Sequence, residues 1–281
     1  VTDAPQSSVD KYDLLVIGGG SGGIATARRA ASYGKKVIVF EENRYGGTCV
    51  NVGCVPKKLM WQASTISHLL HGQAKFYGFG MDNITFDMKG LKERRDDYVK
   101  FLNRIYENNL NRDGITHVEG HAKFVDKYTV ECNGKKYSGD NVLIAVGGFP
   151  YKPNKNTFDG YEFINTSDDF FNKLDYLPKK CCVVGAGYIA VELAQVLQLL
   201  GSDVSLFIRG DHPLRAFDIL IEKGVHNSLV KSGVKVITNS VLTGIYKEDS
   251  GELKVKTEEY VATDASKGKK CNEYSGFDYI L

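Results

Sequence analysis

The sequence carries almost no excess of charge. Across 281 residues, 36 Lys and Arg stand against 34 Asp and Glu, a formal charge of +2. A protein that grips a nucleic-acid backbone concentrates basic residues, so no nucleic-acid partner follows. No apolar run reaches about 18 residues, which excludes a membrane-spanning helix and gives no reason to expect a membrane partner. Cysteine is sparse, at 6 residues; a secreted scaffold held by disulfides would be shorter and richer in it. Only 6 prolines occur, and there are no Pro/Ser tracts. The opening Val1-Thr2-Asp3-Ala4-Pro5 is neither a signal peptide nor an Arg-rich transit peptide, and the missing initiator Met implies processing or trimming. The expected location is a reducing compartment, the cytoplasm or else the mitochondrion.

Glycine is abundant instead, at 30 residues, and without linker-like tracts it points to tight turns. The length fits two domains. Tyr12–Gly18 reads as a strand, Ile24–Tyr33 as a helix and Lys36–Glu41 as a second strand. A helix over Pro56–His71 follows, with proline in its first turn. Lys89–Asn111 reads as a long amphipathic helix, with Leu91, Tyr98, Leu102, Ile105 and Leu110 at helical spacing. Short strands fill Ile115 to Ser138, and Asn141–Gly147 reads as a further, buried strand. The Pro/Asn/Lys-rich stretch Pro150–Phe158 marks a boundary. The pattern then restarts: strand Lys180–Gly185, helix Tyr188–Leu200, strand Asp203–Ile208, helix Ile219–Ser232. This predicts an α/β fold with two Rossmann-like dinucleotide-binding domains on central parallel sheets, over 1–149 and 150–281. Tyr279-Ile280-Leu281 lies inside an apolar, strand-like run, so a chain truncated in its second domain is expected.

Gly18-Gly19-Gly20-Ser21-Gly22-Gly23 fits G-x-G-x-x-G. In such a loop Gly18 makes the tight turn, Gly20 lets a pyrophosphate approach the backbone, and Gly23 lets helix and strand pack closely. The helix N-terminus offers N–H donors and partial positive charge to the pyrophosphate. Glu41, at the end of the next strand, can accept bonds from both ribose hydroxyls. Gly185-Ala186-Gly187-Tyr188-Ile189-Ala190 fits the variant ending in alanine. Its following strand ends in Arg209, with Arg215 six residues on. An acid there would repel a 2′-phosphate, whereas arginine pairs with it in a bidentate fork, so the second site reads as NADPH.

Between the first unit and the Pro56 helix lies Cys49-Val50-Asn51-Val52-Gly53-Cys54-Val55-Pro56-Lys57-Lys58. Two cysteines five positions apart can close a small disulfide loop. Cys54 sits at a helix start, where the dipole favours thiolate, and Lys57 and Lys58 add positive charge within one turn. Zinc would need two more ligands; His68 and His71 follow no usual zinc spacing and read as ordinary helix residues, so no metal site is expected. Cys181 and Cys182, in an apolar run, read as small core residues.

The Cys49–Lys58 run, with two nucleotide motifs in this order, resembles the pyridine nucleotide-disulfide oxidoreductases over essentially the whole chain. Within that family it is most similar to the branch that reduces glutathione disulfide. The resemblance implies FAD and NADPH as cofactors, glutathione disulfide as substrate and a homodimer. It further implies a Cys49–Cys54 disulfide, with Cys49 as interchange thiol and Cys54 as charge-transfer thiol. Lys57 would pair with Glu192, a buried carboxylate on the second glycine-loop helix, and Tyr188 would gate the flavin. Ser21, Gly22, Glu41, Thr48 and Ala122 match FAD positions; Ala186, Ile189, Arg209 and Arg215 match NADPH positions. Arg28, Tyr98 and Tyr106, together with Ser21, match substrate positions.

Ala145-Val146-Gly147 departs from the family's usual Ala-Thr-Gly and loses a hydroxyl. None of the six His matches the family's acid/base His, which comes from an interface domain. The 281-residue chain alone is therefore expected to turn over slowly. Two other readings stay open here: a large thioredoxin reductase, and a nucleotide-binding piece without turnover.

Overall fold

A computed structural model of the protein describes residues 9–80, 83–260 and 270–281. The N-terminal segment Val1-Thr2-Asp3-Ala4-Pro5 lies outside the described residues. The chain forms two compact units, one from the described parts of Val1–Pro56 with Arg94–Phe149, the other from Lys57–Glu93 with Pro150–Leu281. Among the described residues no helix is long and apolar enough to cross a membrane.

The first unit is built on a six-stranded sheet. Its strands are β1 (Asp10–Ile17), β2 (Val37–Glu41), β3 (Thr116–Glu119), β4 (Lys123–Phe124), β5 (Thr129–Cys132) and β6 (Lys135–Ile144), in spatial order β3-β2-β1-β6-β5-β4. The four strands from β3 to β6 run parallel, while β5 and β4 fold back as an antiparallel ribbon. Successive side chains of a strand alternate between faces, so β1 feeds two cores. Leu15 and Ile17 pack with Ile38, Phe40, Val130 and Tyr137 on one face. Val16 packs with Ile24, Ala27, Val39, Tyr45 and Leu110 on the other. Helix α1 (Ser21–Ser32) joins β1 to β2.

Asn141–Gly147 is not a separate buried strand. Residues up to Ile144 belong to β6, and Ile144 and Val146 are exposed. The long helix is α4 (Met88–Arg112), and of its expected stripe Leu110 is buried, Leu91, Leu102 and Ile105 are half-buried and Tyr98 is exposed. Within the first unit Arg95 and Val99 are buried with Leu110, Asn103 and Tyr106 are half-buried, and Tyr98 is 45% exposed. Two of these residues are polar: Arg95 bonds Asp96 at 2.8 Å and Asn103 bonds backbone.

Between β2 and α4 come α2 (Gly47–Val52), absent from the sequence reading, and α3 (Cys54–His68). The expected α-helix to His71 stops at His68, and Leu69–Gln73 widens into a π-helical turn. The His71 ring reaches the Ser67 carbonyl at 2.9 Å, a group the α-helical ladder assigns to the His71 N–H.

The second unit carries two sheets. A parallel one has order β13-β7-β8-β9, from β7 (Lys180–Val184), β8 (Asp203–Phe207), β9 (Lys235–Ile237) and β13 (Tyr279–Ile280). An antiparallel one has order β10-β11-β12, from β10 (Ser240–Lys247), β11 (Leu253–Glu259) and β12 (Cys271–Phe277). Cys182, Phe207, Ile245, Val255, Phe277 and Ile280 form a shared core. Besides most of α3 and the start of α4, its helices are α5 (Ser167–Lys173), α6 (Tyr188–Leu200) and α7 (Ile219–Lys231). Burial pushes the Cys181 thiol up to about 12 and the Cys182 thiol well above its usual range, which suits inert core residues.

Candidate functional site

Helices normally cap their N-termini with side chains, and α5 and α7 do. Thr166 and Asp169 form a reciprocal capping box on α5, and Asp218 accepts from Leu220 N on α7. The two helices that follow glycine loops do not. Helix α1 is entered from Gly20 and α6 from Gly187, neither has a side-chain cap, and neither has an acid in its first turn. Both therefore leave first-turn N–H donors for a ligand. Space is left as well: a methyl group on Gly22 or Gly187 would meet nothing within 4 Å. These residues fit a pyrophosphate.

The first loop is fixed by backbone contacts. Gly18 takes φ +110°, and a methyl on Gly23 would sit 1.9 Å from the Gly18 carbonyl oxygen. Glu41 is buried, and its carboxylate bonds backbone amides: Oε2 accepts from Gly19 N at 2.7 Å and Oε1 from Asn43 N at 2.8 Å. A carboxylate offers about four acceptor sites, so capacity remains for ribose hydroxyls. Ala122 packs beside the Ile17–Phe40 core, and Ser21 opens α1.

The same loop is joined to the cysteine segment. Gly46 N donates to Gly19 O at 2.8 Å, and Gly20 bridges Gly46. A methyl on Gly47 would lie 2.7 Å from Gly20 Cα, so the two backbones touch. Thr48 and Cys49 lie in α2, and Cys54 begins α3. Cys49 is half-buried and Cys54 exposed, and the structure joins neither in a disulfide. Partial burial, with a hydrogen bond to Cys54, pushes the Cys49 thiol above the usual range. Two sulfurs within hydrogen-bond reach can close a disulfide by a small movement.

Three residues here escaped the sequence reading: Tyr45, Asn51 and Asn103. The Tyr45 ring packs against Gly19, and its hydroxyl lies 3.2 Å from His117 Nδ1. Asn51 Nδ2 donates to Gly47 O at 2.9 Å, and Asn103 Nδ2 donates to Tyr45 O at 2.7 Å and to Asn51 Oδ1 at 2.9 Å. The available signal was Asn103 itself, an amide on the inward stripe of α4.

In the second unit, Gly185 takes φ +142° and Gly187 opens α6 at Tyr188, with Tyr188 and Ile189 exposed. Arg209 and Arg215 are both exposed, beyond the end of β8. Leu214, beside Arg215, sits in the left-handed region at φ +61°, held by its N–H donating to Ala186 O at 2.7 Å. That bond ties the arginine-bearing segment to the glycine loop. Lys57 Nζ donates to Glu192 Oε1 at 2.8 Å. Glu192 is not the buried carboxylate expected: its side chain is 37% exposed and that of Lys57 30%. The buried face of α6 is made by Val191, Ala194, Leu197 and their neighbours, and Glu192 sits on its flank. Such a pair contributes at most about 1 kcal/mol.

Arg28 is already partnered, its Nε bonding Asp113 Oδ2 at 2.5 Å, and this bond holds the Asp113 carboxyl below the usual range. Tyr106 packs on the Val16–Leu110 core, whereas Tyr98 is exposed beside Phe101. Among the described residues no cluster of three His, Cys, Asp or Glu could hold a metal ion.

Comparison with known proteins gives the family. The family described as pyridine nucleotide-disulphide oxidoreductase matches residues 12–267. The chain is similar to glutathione reductase of Yarrowia lipolytica, 46% identical over 269 residues, covering 90% of this chain and 56% of the relative. It is 45% identical over 259 residues to that of Schizosaccharomyces pombe, covering 89% and 54%. It is 42% identical over 280 residues to that of Debaryomyces hansenii, covering 89% and 56%. The chain thus spans about half the length of the curated relatives it matches.

Proposed function

We propose, for a chain that belongs to the pyridine nucleotide-disulphide oxidoreductases, that it is the nucleotide-binding and dithiol-bearing part of an NADPH-dependent reductase of glutathione disulfide. The carrying observation is that Cys49 and Cys54, two thiols in hydrogen-bond reach, stand in a segment whose backbone touches an uncapped glycine loop. The named relatives support glutathione disulfide as the substrate.

The first unit binds FAD, with the α1 N–H groups facing the pyrophosphate and Glu41 the ribose. The second binds NADPH, with α6 facing the pyrophosphate and Arg209 and Arg215 the 2′-phosphate. What FAD supplies when bound is the conversion of a hydride into an electron pair for a disulfide. The Cys49 thiolate attacks one sulfur of glutathione disulfide and forms a mixed disulfide, releasing one glutathione. Cys54 then attacks Cys49 Sγ, closing the protein disulfide and releasing the second. Two protein thiols are oxidised, one substrate disulfide is reduced, and two protons pass to the two products. Lys57, held by Glu192, places a positive charge one turn into the helix that Cys54 begins.

The test is anaerobic labelling. After oxidation, Cys49 and Cys54 should become alkylatable when NADPH is added to FAD-loaded protein, and stay blocked with NADPH alone. Equal labelling without FAD, or none with both, would overturn the proposal.

A further inference from the structure

Helix α2 has only six residues and no side-chain cap, and it is entered through Gly46 at φ +96° and Gly47 at φ +57°. Left alone, such a short helix has little stability, because nucleating a helix costs more than one turn returns. Cys49 nevertheless has to present its sulfur to Cys54 across Gly53, a joint so tight that a methyl there would lie 2.8 Å from Thr48 O. The restraint comes from a side-chain clasp. Asn51, buried on α2, bonds the carbonyl of Gly47 at the first residue of the same helix. Asn103, on the 25-residue helix α4, spends both amide hydrogens on this site: one on Tyr45 O and one on Asn51 Oδ1. An amide offers two hydrogens and no more, so Asn103 is saturated there.

We infer that Asn103, acting through Asn51, is a positioning residue for the Cys49–Cys54 couple: it holds α2 in the register from which the sulfurs close, and so favours disulfide over dithiol. The physical reason is effective concentration. Closing a disulfide removes chain freedom, and a frame that has already lost that freedom loses less on closure. With the clasp gone, α2 is free to fray in the dithiol form, and the disulfide becomes harder to form. The inference rests on reading Cys49 and Cys54 as a redox couple, and the experiment separates the two.

The protein is equilibrated in buffers of reduced and oxidised glutathione, quenched in acid, alkylated and mapped by mass spectrometry. The reaction followed is protein dithiol plus glutathione disulfide giving protein disulfide plus two glutathione: two S–H bonds are broken in the protein and one S–S bond forms. Asn103→Leu, similar in size but without donors, should lower the equilibrium constant at least tenfold, which is about 30 mV in potential. Asn103→Asp, which turns an oxygen toward two oxygens, should lower it at least as far. Val99→Ala, one turn away on the same buried stripe, is the control: it should lower Tm by leaving a cavity yet keep the constant within twofold. If Asn103→Leu does not fold, Asn51→Ser is read the same way. A constant unchanged in the Asn103 variants, or moved equally by Val99→Ala, overturns the inference alone. Failure of the unsubstituted protein to form the disulfide overturns the redox reading as well.

Discussion

The two strand–loop–helix units solve the same problem with opposite charge. In the first, β2 ends in Glu41, which turns back and accepts the Gly19 amide, so the acid is part of the loop's own scaffold. In the second, β8 is followed by Arg209, and the return contact is a backbone bond from Leu214 N to Ala186 O. The second unit thus fixes its loop without a carboxylate and leaves its cationic side chains exposed. The third small residue differs too. Gly23 packs against Gly18 O so closely that no methyl fits, whereas Ala190 holds the corresponding place in the second unit, and a methyl on Gly185 would lie 3.3 Å from the Ala190 methyl. Backbone geometry is tighter in one unit and charge is freer in the other, a difference that supports the proposal of two different nucleotides.

The largest effect should come from imposing the second unit's residue on the first. Gly23→Ala drives a methyl into a backbone carbonyl, which should cost about 3 kcal/mol or more of stability, measured by urea unfolding. A loss under about 1 kcal/mol would show that the two loops are less different than their contacts. Next, Arg209→Glu with Arg215→Leu places an acid where the first unit has one. Two charge-assisted contacts are lost, so affinity for NADPH should fall about a hundredfold and for NADH hardly at all, measured by fluorescence titration. Equal losses for both coenzymes would mean that the arginines serve the fold or the pyrophosphate.

Glu41→Gln tests the other side of the comparison. One acceptor and the charge disappear while an oxygen remains for Gly19, so FAD should bind roughly tenfold more weakly; unchanged affinity would leave Glu41 with a purely structural role. The smallest effect concerns a helix that carries its own cap. Burial alone would raise the Asp169 carboxyl, but hydrogen bonds from Lys173 and Thr166 hold it at about 2. A depressed carboxyl stabilises the fold above the ordinary carboxylate range, and that contribution is lost as pH falls from about 4 toward 2. Asp169→Asn should therefore cost about 1 kcal/mol at pH 7 and much less near pH 3. A cost that does not shrink with pH would contradict the assignment of charge to this cap.

Where periodicity and punctuation agree, the elements were legible in the sequence: β1, α1 and β2 fall within a few residues of their expected bounds, and α6 spans Tyr188–Leu200 as read. Helix α2 was not legible, because it is one short helix entered through two positive-φ glycines and offers no repeat to detect. Helix α5 was overlooked although Thr166-Ser167-Asp168-Asp169 is a capping signature. The stripe of α4 was legible except at Tyr98, which is exposed, and at Arg95 and Asn103, polar residues that are buried or half-buried with hydrogen-bond partners. The exposure of Glu192 was beyond reach for another reason: composition made α6 look wholly buried, and only packing decides which flank is left to solvent.

The proposed function predicts that FAD, when bound, lies within reach of the Cys54 sulfur. Two-electron reduction of the FAD-loaded protein, followed by absorbance, should give a long-wavelength flavin–thiolate band. Cys54→Ser should abolish that band and Cys49→Ser should keep it. No band in the unsubstituted protein, or one that depends on Cys49 and survives loss of Cys54, would contradict the roles given to the two thiols.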